Sequence, residues 1–347
     1  MKRVEIVPSR KQKRPTMRDV AVAVGVSIQT ISAVINDKPD ITPQTRQRVM
    51  DAIQQLGYRP DRVARGLRTG KSHTLALIVS DIANPSFATI ASTAEDCAQA
   101  RGYYLTVHNT HDDPLREAKY VQTAAERGID GVILVSAEDR MDSSIMLENA
   151  DIPFVAIDRI PEDYTGLSVT LDNMKAGRLA TQHLLGLGHT RIAHISGPLR
   201  LRLARERLAG LELALQEQGL SLPSEWLCEG HWYCQEGYKA MQNMLQTSPL
   251  PTAVFAANDR MAIGAIQAIY QAGLRVPEDI SVIGLDDIEV SAYHIPALTT
   301  IRQPFALLAT QAIQILLDVI QGNQPEVSAN LIEPILIERA STAPSAA

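Results

Sequence analysis

Cys228, His231 and Cys234 are the residues whose types and spacing come closest to a metal site. Thiolate and imidazole groups at short intervals are common zinc ligands, but a structural zinc site needs four of them. No fourth candidate lies nearby in the sequence, so we predict no metal and no cofactor. Three cysteines are an odd number in a chain without an export signal, and we expect them to be reduced thiols.

The signatures of common enzyme classes are missing from the sequence. After the first long apolar strand, Ser80-Asp81-Ile82-Ala83-Asn84 stands where a dinucleotide-binding enzyme would carry Gly-x-Gly-x-x-Gly. The Gly-x-Ser-x-Gly elbow of the α/β hydrolases does not occur either. Carboxylates are abundant, but no spacing marks a catalytic pair. We therefore predict that the chain is not an enzyme.

Residues 16–36 have a different chemistry, that of DNA recognition. Thr16 and Asp19 have the spacing of a capping box, Gly25 suits a left-handed turn, and Ser27 can cap a second helix. This pattern predicts a helix-turn-helix, whose second helix enters the major groove. An ordinary helical hairpin inside a larger core is the alternative. Apolar side chains for its core stand at Val20, Ala21, Val24, Val26, Ile31, Val34 and Ile35.

The distribution of charge favours the DNA interpretation. Residues 1–71 hold 15 Lys and Arg against 6 Asp and Glu, a balance of +9. The remaining residues hold 18 against 33, a balance of −15, which together give the net charge of −6. A basic head joined to an acidic body is the footprint expected when only one small domain touches phosphate.

A third helix and a polar segment follow the helix-turn-helix. Thr42 and Pro43 mark the start of that helix and Gly57 its end. Residues 61–70 then carry three arginines and one large apolar residue near the end of the segment, Leu67. The segment is too short and polar to be a stable free helix. It is either a flexible linker or a hinge that folds only on DNA.

From residue 74 the sequence alternates short apolar runs with amphipathic segments. Such alternation predicts a doubly wound α/β body, long enough for two lobes, with ligands at the carboxyl ends of its strands. The predicted strands are 75–79, 104–108, 132–135, 154–157, 168–171, 192–196, 253–256 and 281–285, and predicted helices include 118–127, 176–187, 205–218 and 259–272.

The chain is expected to be cytoplasmic. No run of 18 apolar residues occurs, and the basic N-terminus lacks the hydrophobic stretch of a secretory signal. The predicted organisation is a disordered basic tail (1–15), a helix-turn-helix domain (16–58), a hinge segment (59–73), a two-lobed domain (74–339) and a disordered tail (340–347).

These features together resemble the LacI/GalR family of transcription regulators, over nearly the whole folded chain. The head contributes Asp19-Val20-Ala21, Thr30-Ile31-Ser32 and Leu56-Gly57-Tyr58, and the hinge Ala64-Arg65 and Leu67. The resemblance implies a body like periplasmic sugar-binding proteins, in which two lobes close on a small effector. The body motifs are Asn84-Pro85, Gly188-His189, Asn258-Asp259, Gly284-Leu285-Asp286-Asp287 and Pro-Ala-Leu-Thr-Thr-Ile at 296–301.

The resemblance also implies how the head contacts DNA. Ile28, Gln29 and Ala33 match base-reading positions, where Gln29 can pair with adenine and Ile28 can pack on a thymine methyl. Many relatives carry a longer polar residue at Ala33, whose methyl offers no hydrogen bond. The residues matching phosphate contacts are Arg18, Thr30, Ser32, Asn36 and Arg46.

In the hinge, Ala64 and Leu67 match DNA-binding positions of the family. Leu67 corresponds to the leucine that wedges into the minor groove at the operator centre, where an apolar side chain can unstack a base step. Asp61 stands where many relatives have Asn, and a carboxylate faces phosphate less favourably.

The effector positions implied by the resemblance are polar and aromatic. Arg207 offers donors, Asp286 accepts from paired hydroxyls, Asn258 does both, and Trp232 corresponds to an aromatic position at the mouth of the cleft. Each polar residue could instead be structural, at a junction between strand and helix. The full implied set is Asp81, Asn84, Phe87, Asp158, Arg207, Trp232, Asn258 and Asp286.

The implied protein is a repressor that binds double-stranded operator DNA of near-palindromic sequence as a homodimer. A sugar or sugar derivative is the expected effector, and relief of repression is favoured over corepression. A purine or nucleoside effector is the alternative, and a sugar-binding protein without DNA function is a third. The C-terminus lacks an apolar heptad repeat, so no association beyond the dimer is expected.

Overall fold

The computed structural model describes residues 15–35, 37–58, 71–325 and 329–345, and the chain divides into two compact units, 1–70 and 71–347. Most of the predicted hinge and the N-terminal tail lie outside the described residues. The body begins earlier than residue 74, because the backbone amides of Ser72 and His73 donate to Asp130 at 2.7 and 2.9 Å.

The first unit, here called the head, contains three helices, α1 (Met17–Val24), α2 (Ile28–Ile35) and α3 (Pro43–Leu56). Each predicted cap is present. Thr16 and Asp19 form a capping box, Gly25 adopts a φ of 75°, and the Ser27 hydroxyl accepts from the amide of Thr30 at 3.1 Å. The axes of α1 and α2 meet at 106°, as in a helix-turn-helix.

The head has its own small core, to which all three helices contribute. Val20, Ile31 and Val49 are completely buried in it. Among the described residues, no single helix is long and apolar enough to cross a membrane. The bent pair α1–α2 passes that test by length and composition, but the apolar side chains Val20 and Ile31 serve the head's core.

The second unit, here called the body, is built on two six-stranded sheets, one in each lobe. The first sheet is entirely parallel, with strand order β11-β5-β4-β3-β1-β2. The second has the order β12-β10-β9-β8-β6-β7, and only its edge strand β12 runs antiparallel to its neighbour. The strands are β1 (Thr74–Val79), β2 (Tyr104–Asn109), β3 (Gly131–Leu134), β4 (Phe154–Ile157), β5 (Ser168–Leu171), β6 (Ile192–Ser196), β7 (Leu227–Glu229), β8 (Ala253–Ala256), β9 (Ser281–Asp286), β10 (Thr299–Arg302), β11 (Ala329–Ile332) and β12 (Ile335–Ile337).

All eight predicted strands are present, with ends that differ by no more than a residue or two. The strands that the pattern missed, β7, β10, β11 and β12, are short, and β7, β11 and β12 lie at sheet edges. Edge strands are only partly buried, so they lack the continuous apolar run that marks a central parallel strand.

Helices cover both faces of each sheet. The predicted helices are confirmed, but three of the four begin three or four residues earlier than predicted, whereas the one that begins at Asp259 begins as expected. The body helices are α4 (Pro85–Gln99), α5 (Pro114–Glu126), α6 (Asp142–Asn149), α7 (Asn173–Gly186), α8 (Arg202–Gln216), α9 (Cys234–Met244), α10 (Asp259–Gln271), α11 (Glu289–Tyr293) and α12 (Phe305–Ile320).

The chain passes between the two lobes at three places, near residues 172, 303 and 333. In the second lobe, α7 and α8 cross at very close range. A Cβ added to Gly177 would lie 2.0 Å from the carbonyl oxygen of Arg207, and one on Gly210 would lie 2.1 Å from that of Met174. Only glycine permits this approach, which places Arg207 against the first turns of α7.

The C-terminal segment corrects one prediction. Residues 341–345, expected to be disordered, are held against the second lobe because their backbone and hydroxyl groups pair with the start of its strands. The Ser341 hydroxyl donates to the Val282 carbonyl at 2.6 Å and accepts from the Thr299 amide at 2.8 Å. The Ala343 amide donates to the Ser281 hydroxyl at 3.1 Å. Small polar residues gave no sign of this pairing in the sequence.

Ser341 is fully buried, so its hydroxyl should matter for stability. Ser341→Ala leaves the Thr299 amide and Val282 carbonyl without their partner, and should lower the free energy of unfolding by about 1–3 kcal/mol. Ser221→Ala, at an exposed position, is the matched control and should change it by less than about 0.5 kcal/mol. Urea denaturation measures both, and equal values for the two variants would contradict the anchoring role.

Candidate functional site

The outward face of α2 presents the predicted base-reading residues. Ile28 is 48% exposed and Gln29 is exposed, while Thr30 and Ala33 are partly exposed. On the opposite face Ile31 and Val34 are buried in the core of the head. The first turn of the helix thus offers one amide and one apolar side chain, with no core contact to restrain them.

The predicted phosphate contacts lie in three settings. Arg18 is exposed on α1, and Ser32 is partly exposed on α2. Arg46 is paired with Asp37 and also donates to the Lys38 carbonyl at 2.7 Å, so it holds the connection between α2 and α3. Three predicted DNA-binding residues lie outside the described residues: Asn36, Ala64 and Leu67.

A cleft in the body collects most of the predicted effector residues. It lies between the lobes at the carboxyl ends of their strands, and its cavity volume is about 30 Å³. This is far below the range for small-molecule sites, so the lobes leave little free space between them. It is lined by Asn84, Ser86, Phe87, Asp158, Arg159, Leu203, Arg207, Trp232, Asn258, Asp286 and Phe305.

Three residues that line this cleft have a left-handed backbone. Asp158, Trp232 and Asp286 all have positive φ values, of 61°, 70° and 126°. A bulky residue such as tryptophan rarely adopts this conformation, and each such residue costs of order 1–3 kcal/mol. The surrounding fold holds the three side chains where they converge, which is typical of a functional site.

Arg207 forms the base of the cleft and is 2% exposed. Its guanidinium donates to Asn173 at 2.9 Å and to the Ala257 carbonyl at 2.6 Å, and it lies 5.7 Å from the centre of the Trp232 ring. Burial lowers the pKa of this guanidinium, whereas the carboxylates of Asp286 and Asp158 raise it. Burying a cation is expensive, so these contacts hold it in one orientation.

The carboxylates around Arg207 are unequal. Burial raises the pKa of Asp286 well above its ordinary value, and Arg207 only partly opposes this. Asp158 accepts from Gln303 at 2.7 Å, across the boundary between the lobes. Behind the cleft, burial raises the pKa of Asp259 to about 6 although its carboxylate accepts from the Thr300 and Ser291 hydroxyls.

Asn258 and Trp232 line the cleft and also make contacts within the second lobe. The side-chain carbonyl of Asn258 caps α10 by accepting from the Met261 backbone amide at 2.9 Å. Its side-chain amide donates to the Trp232 backbone carbonyl at 3.1 Å. Much of the hydrogen bonding of the Asn258 side chain is therefore structural, which was the alternative to effector binding. Trp232 is buried against the backbone of Gly197. Its indole N–H is buried without a hydrogen-bond partner among the described residues.

Asp81 is the predicted effector residue that does not line the cleft. Its carboxylate instead pairs with Arg260 of the other lobe at 3.1 Å. The sequence showed that Asp81 follows the first strand, but it contained no sign of a partner so distant along the chain.

Four lining residues were missed by the sequence prediction: Ser86, Arg159, Leu203 and Phe305. Arg159 directly follows Asp158, a predicted effector residue, and this position was the signal in the sequence that could have identified it. Its guanidinium pairs with Asp112 and lies 5.7 Å from the Phe87 ring centre and 5.8 Å from that of Trp232. Leu203 and Phe305 reach the cleft from helices whose apolar pattern indicated only core packing.

Two family models match this chain. The model for bacterial regulatory proteins of the lacI family matches residues 16–61, and that for the periplasmic binding protein-like domain matches residues 181–342. The first match covers the helix-turn-helix and the second covers most of the lobe that carries Arg207.

Similar proteins cover nearly the whole chain. The HTH-type transcriptional repressor PurR of Aliivibrio salmonicida is 36% identical, over 94% of this chain and 98% of its own. The ribose operon repressor of Escherichia coli K12 is 38% identical, over 94% and 99%. A solved lac repressor dimer bound to operator and the anti-inducer ONPF has a TM-score of 0.87 at 33% identity, covering 95% of this chain and 100% of that one.

Proposed function

Since the chain belongs to the lacI family of bacterial regulatory proteins, we propose that it represses transcription as a homodimer on a near-palindromic operator and that a sugar relieves this repression. It is a transcription regulator that binds DNA and a small effector. The observation that carries the proposal is the presence, in one chain, of a recognition helix with a free outer face and a strained, charged cleft. The proposed role is binding in the cytoplasm, without catalysis.

The recognition helix supports sequence-specific binding through two residues. The Gln29 amide can pair bidentately with adenine, and the exposed Ile28 can contact a thymine methyl. Ala33 adds only a methyl group. We therefore propose that Gln29 supplies most of the hydrogen-bonded discrimination by α2, whereas Arg18 contributes charge that is independent of sequence.

Gln29→Ala should weaken binding of the dimer to the preferred duplex by about 30-fold or more, because each bidentate base contact is worth about 1–3 kcal/mol and the dimer loses two of them. Binding to unrelated duplex DNA should change little. The preferred duplex is first selected from a random library with the unaltered protein, and fluorescence anisotropy then measures both affinities.

Arg18→Ala is the matched control, and it should weaken binding to both duplexes by a similar factor and reduce the salt dependence. Equal losses on both duplexes for Gln29→Ala would contradict its role in base recognition.

The cleft supports a sugar as effector. Four charged side chains, Asp158, Arg159, Arg207 and Asp286, border a small space, beside the rings of Phe87, Trp232 and Phe305. Carboxylates and guanidinium groups suit the paired hydroxyls of a sugar, and an aromatic face suits its apolar side. A site built around hydroxyls rejects ligands that leave these groups unpaired, which disfavours a purine.

A thermal-shift panel should separate sugars from purines. D-Ribose or D-glucose at about one hundred times its Kd should raise the Tm of the body by about 5 °C, because binding to the folded state then adds about 2.7 kcal/mol. Asp286→Asn should abolish the response without destabilising the free protein, since the raised pKa of Asp286 already marks a disfavoured charge. Stabilisation by adenine or guanine alone would overturn the sugar assignment.

An exposed apolar surface of the second lobe, here called the α11 patch, supports dimerisation. Tyr293 and Ile295 are 78% and 84% exposed, and Val290 lies one helical turn before Tyr293. Large apolar side chains that are exposed and clustered mark protein–protein interfaces. A second copy of the chain is the proposed partner, because the lac repressor with the same fold was solved as a dimer on its operator.

Tyr293→Ser combined with Ile295→Asp should convert the dimer into a monomer, since it places a charge in the apolar contact. Sedimentation velocity measures the mass of each form. Val22→Asp, on an exposed apolar residue of α1, is the control that should leave the mass unchanged. An unaltered dimer in the double variant would contradict the α11 patch as the interface.

A further inference from the structure

Two arginines of the second lobe reach across the cleft to carboxylates of the first lobe. The Arg260 Nη1 lies 3.1 Å from Asp81 Oδ2. The Arg205 Nη2 lies 3.0 Å from Asp139 Oδ2 and 2.6 Å from Glu162 Oε2. In each pair the carboxylate belongs to the first lobe and the guanidinium to the second, so these contacts exist only while the lobes are close together.

The two arginines differ in burial. The side chains of Arg260 and Asp81 are only 17% and 12% exposed. Those of Arg205, Asp139 and Glu162 are 38%, 12% and 66% exposed, so solvent reaches the Arg205 guanidinium more than that of Arg260 and screens its pairs more strongly. Breaking one partner of a largely buried pair leaves the other charge poorly compensated. The Asp81–Arg260 pair therefore holds the lobes together more strongly than the Arg205 contacts.

Arg260 is closely connected to the effector cleft. It lies in the first turn of α10, two residues after Asn258, and its guanidinium lies 4.7 Å from the centre of the Tyr233 ring. Tyr233 follows Trp232, which lines the cleft with a strained backbone. Arg260 itself does not line the cleft.

Asp81 is equally well placed on the first lobe. It follows β1 and lies three residues before Asn84, which lines the cleft. Its Oδ1 accepts from the Ala83 amide at 3.1 Å, which orients the carboxylate and leaves Oδ2 for Arg260.

We infer that Asp81 and Arg260 are positioning residues that form a latch, which holds the lobes closed over the effector without touching it. The inference rests on the proposed effector cleft. A latch of this kind stabilises only the closed arrangement, so it raises the affinity of any ligand that requires closure and slows its release. It also makes closure sensitive to ionic strength.

Trp232 allows lobe closure to be measured without any effector. The chain has two tryptophans, and Trp226→Phe leaves Trp232 as the single tryptophan, whose fluorescence is excited selectively and whose ring is buried in the cleft. In that background, Asp81→Asn should raise the acrylamide quenching constant by about twofold, because an open cleft exposes the indole. Asn keeps the oxygen that accepts from Ala83 and removes only the charge.

A charge exchange tests the pair directly. Arg260→Met should resemble Asp81→Asn, and the double variant Asp81→Arg with Arg260→Asp should return the quenching constant towards that of the background. Arg275→Met is the matched control, because Arg275 pairs with Asp279 within the second lobe. This pair is far less buried than that of Asp81 and Arg260. Circular dichroism and Tm verify that each variant is folded.

A quenching constant that is unchanged in both folded single variants would overturn the latch. A charge-exchange variant whose quenching constant is as high as that of the single variants would overturn it too. D-Ribose titration of the same variants adds an independent measurement. The latch predicts about tenfold weaker binding in each single variant, with recovery in the exchange. If no sugar binds even the unaltered protein, the sugar assignment fails while the quenching result still decides the latch.

Discussion

The buried guanidinium of Arg207 is the interaction on which the arrangement of the body depends. A cation that is 2% exposed must find its partners inside the protein, and its contacts come from α7, from the end of β8 and from the passage between the lobes at Gln303. The close crossing of α7 and α8, made possible by Gly177 and Gly210, sets where that cation lies. Helix packing, lobe connection and binding chemistry therefore meet at one side chain.

The residues around Arg207 have energetically unfavourable features that folding alone does not require. Asp286 and Asp259 are buried carboxylates whose pKa values are raised, and Asp158, Trp232 and Asp286 hold positive φ angles. An apolar core with relaxed turns would be more stable at this position. Such costs are retained at sites that bind a polar ligand, because the ligand supplies the missing hydrogen bonds.

The head has a different physical design, because its core is minimal and its caps are local. The capping box at Thr16, the left-handed Gly25 and the Ser27 cap fix two short helices that would be marginal by themselves. Burial of Ile31 and Val34 then leaves Ile28 and Gln29 on the outer face. The positive charge of this unit and the negative charge of the body assign the two binding tasks to separate units.

The amino-acid sequence by itself determined those features that depend on neighbours along the chain. Caps, turn glycines and apolar periodicity located the helix-turn-helix and eight of the strands, and the resemblance to a known family marked most of the cleft residues, including Asp158, Arg207 and Asp286. Features that depend on contacts between distant residues were decided by the tertiary structure. Asp81 pairs with Arg260, Leu203 and Phe305 enter the cleft, and the segment after Ala340 pairs with strands of the second lobe. No local pattern encodes such contacts, because their energy is gained only when the lobes have formed.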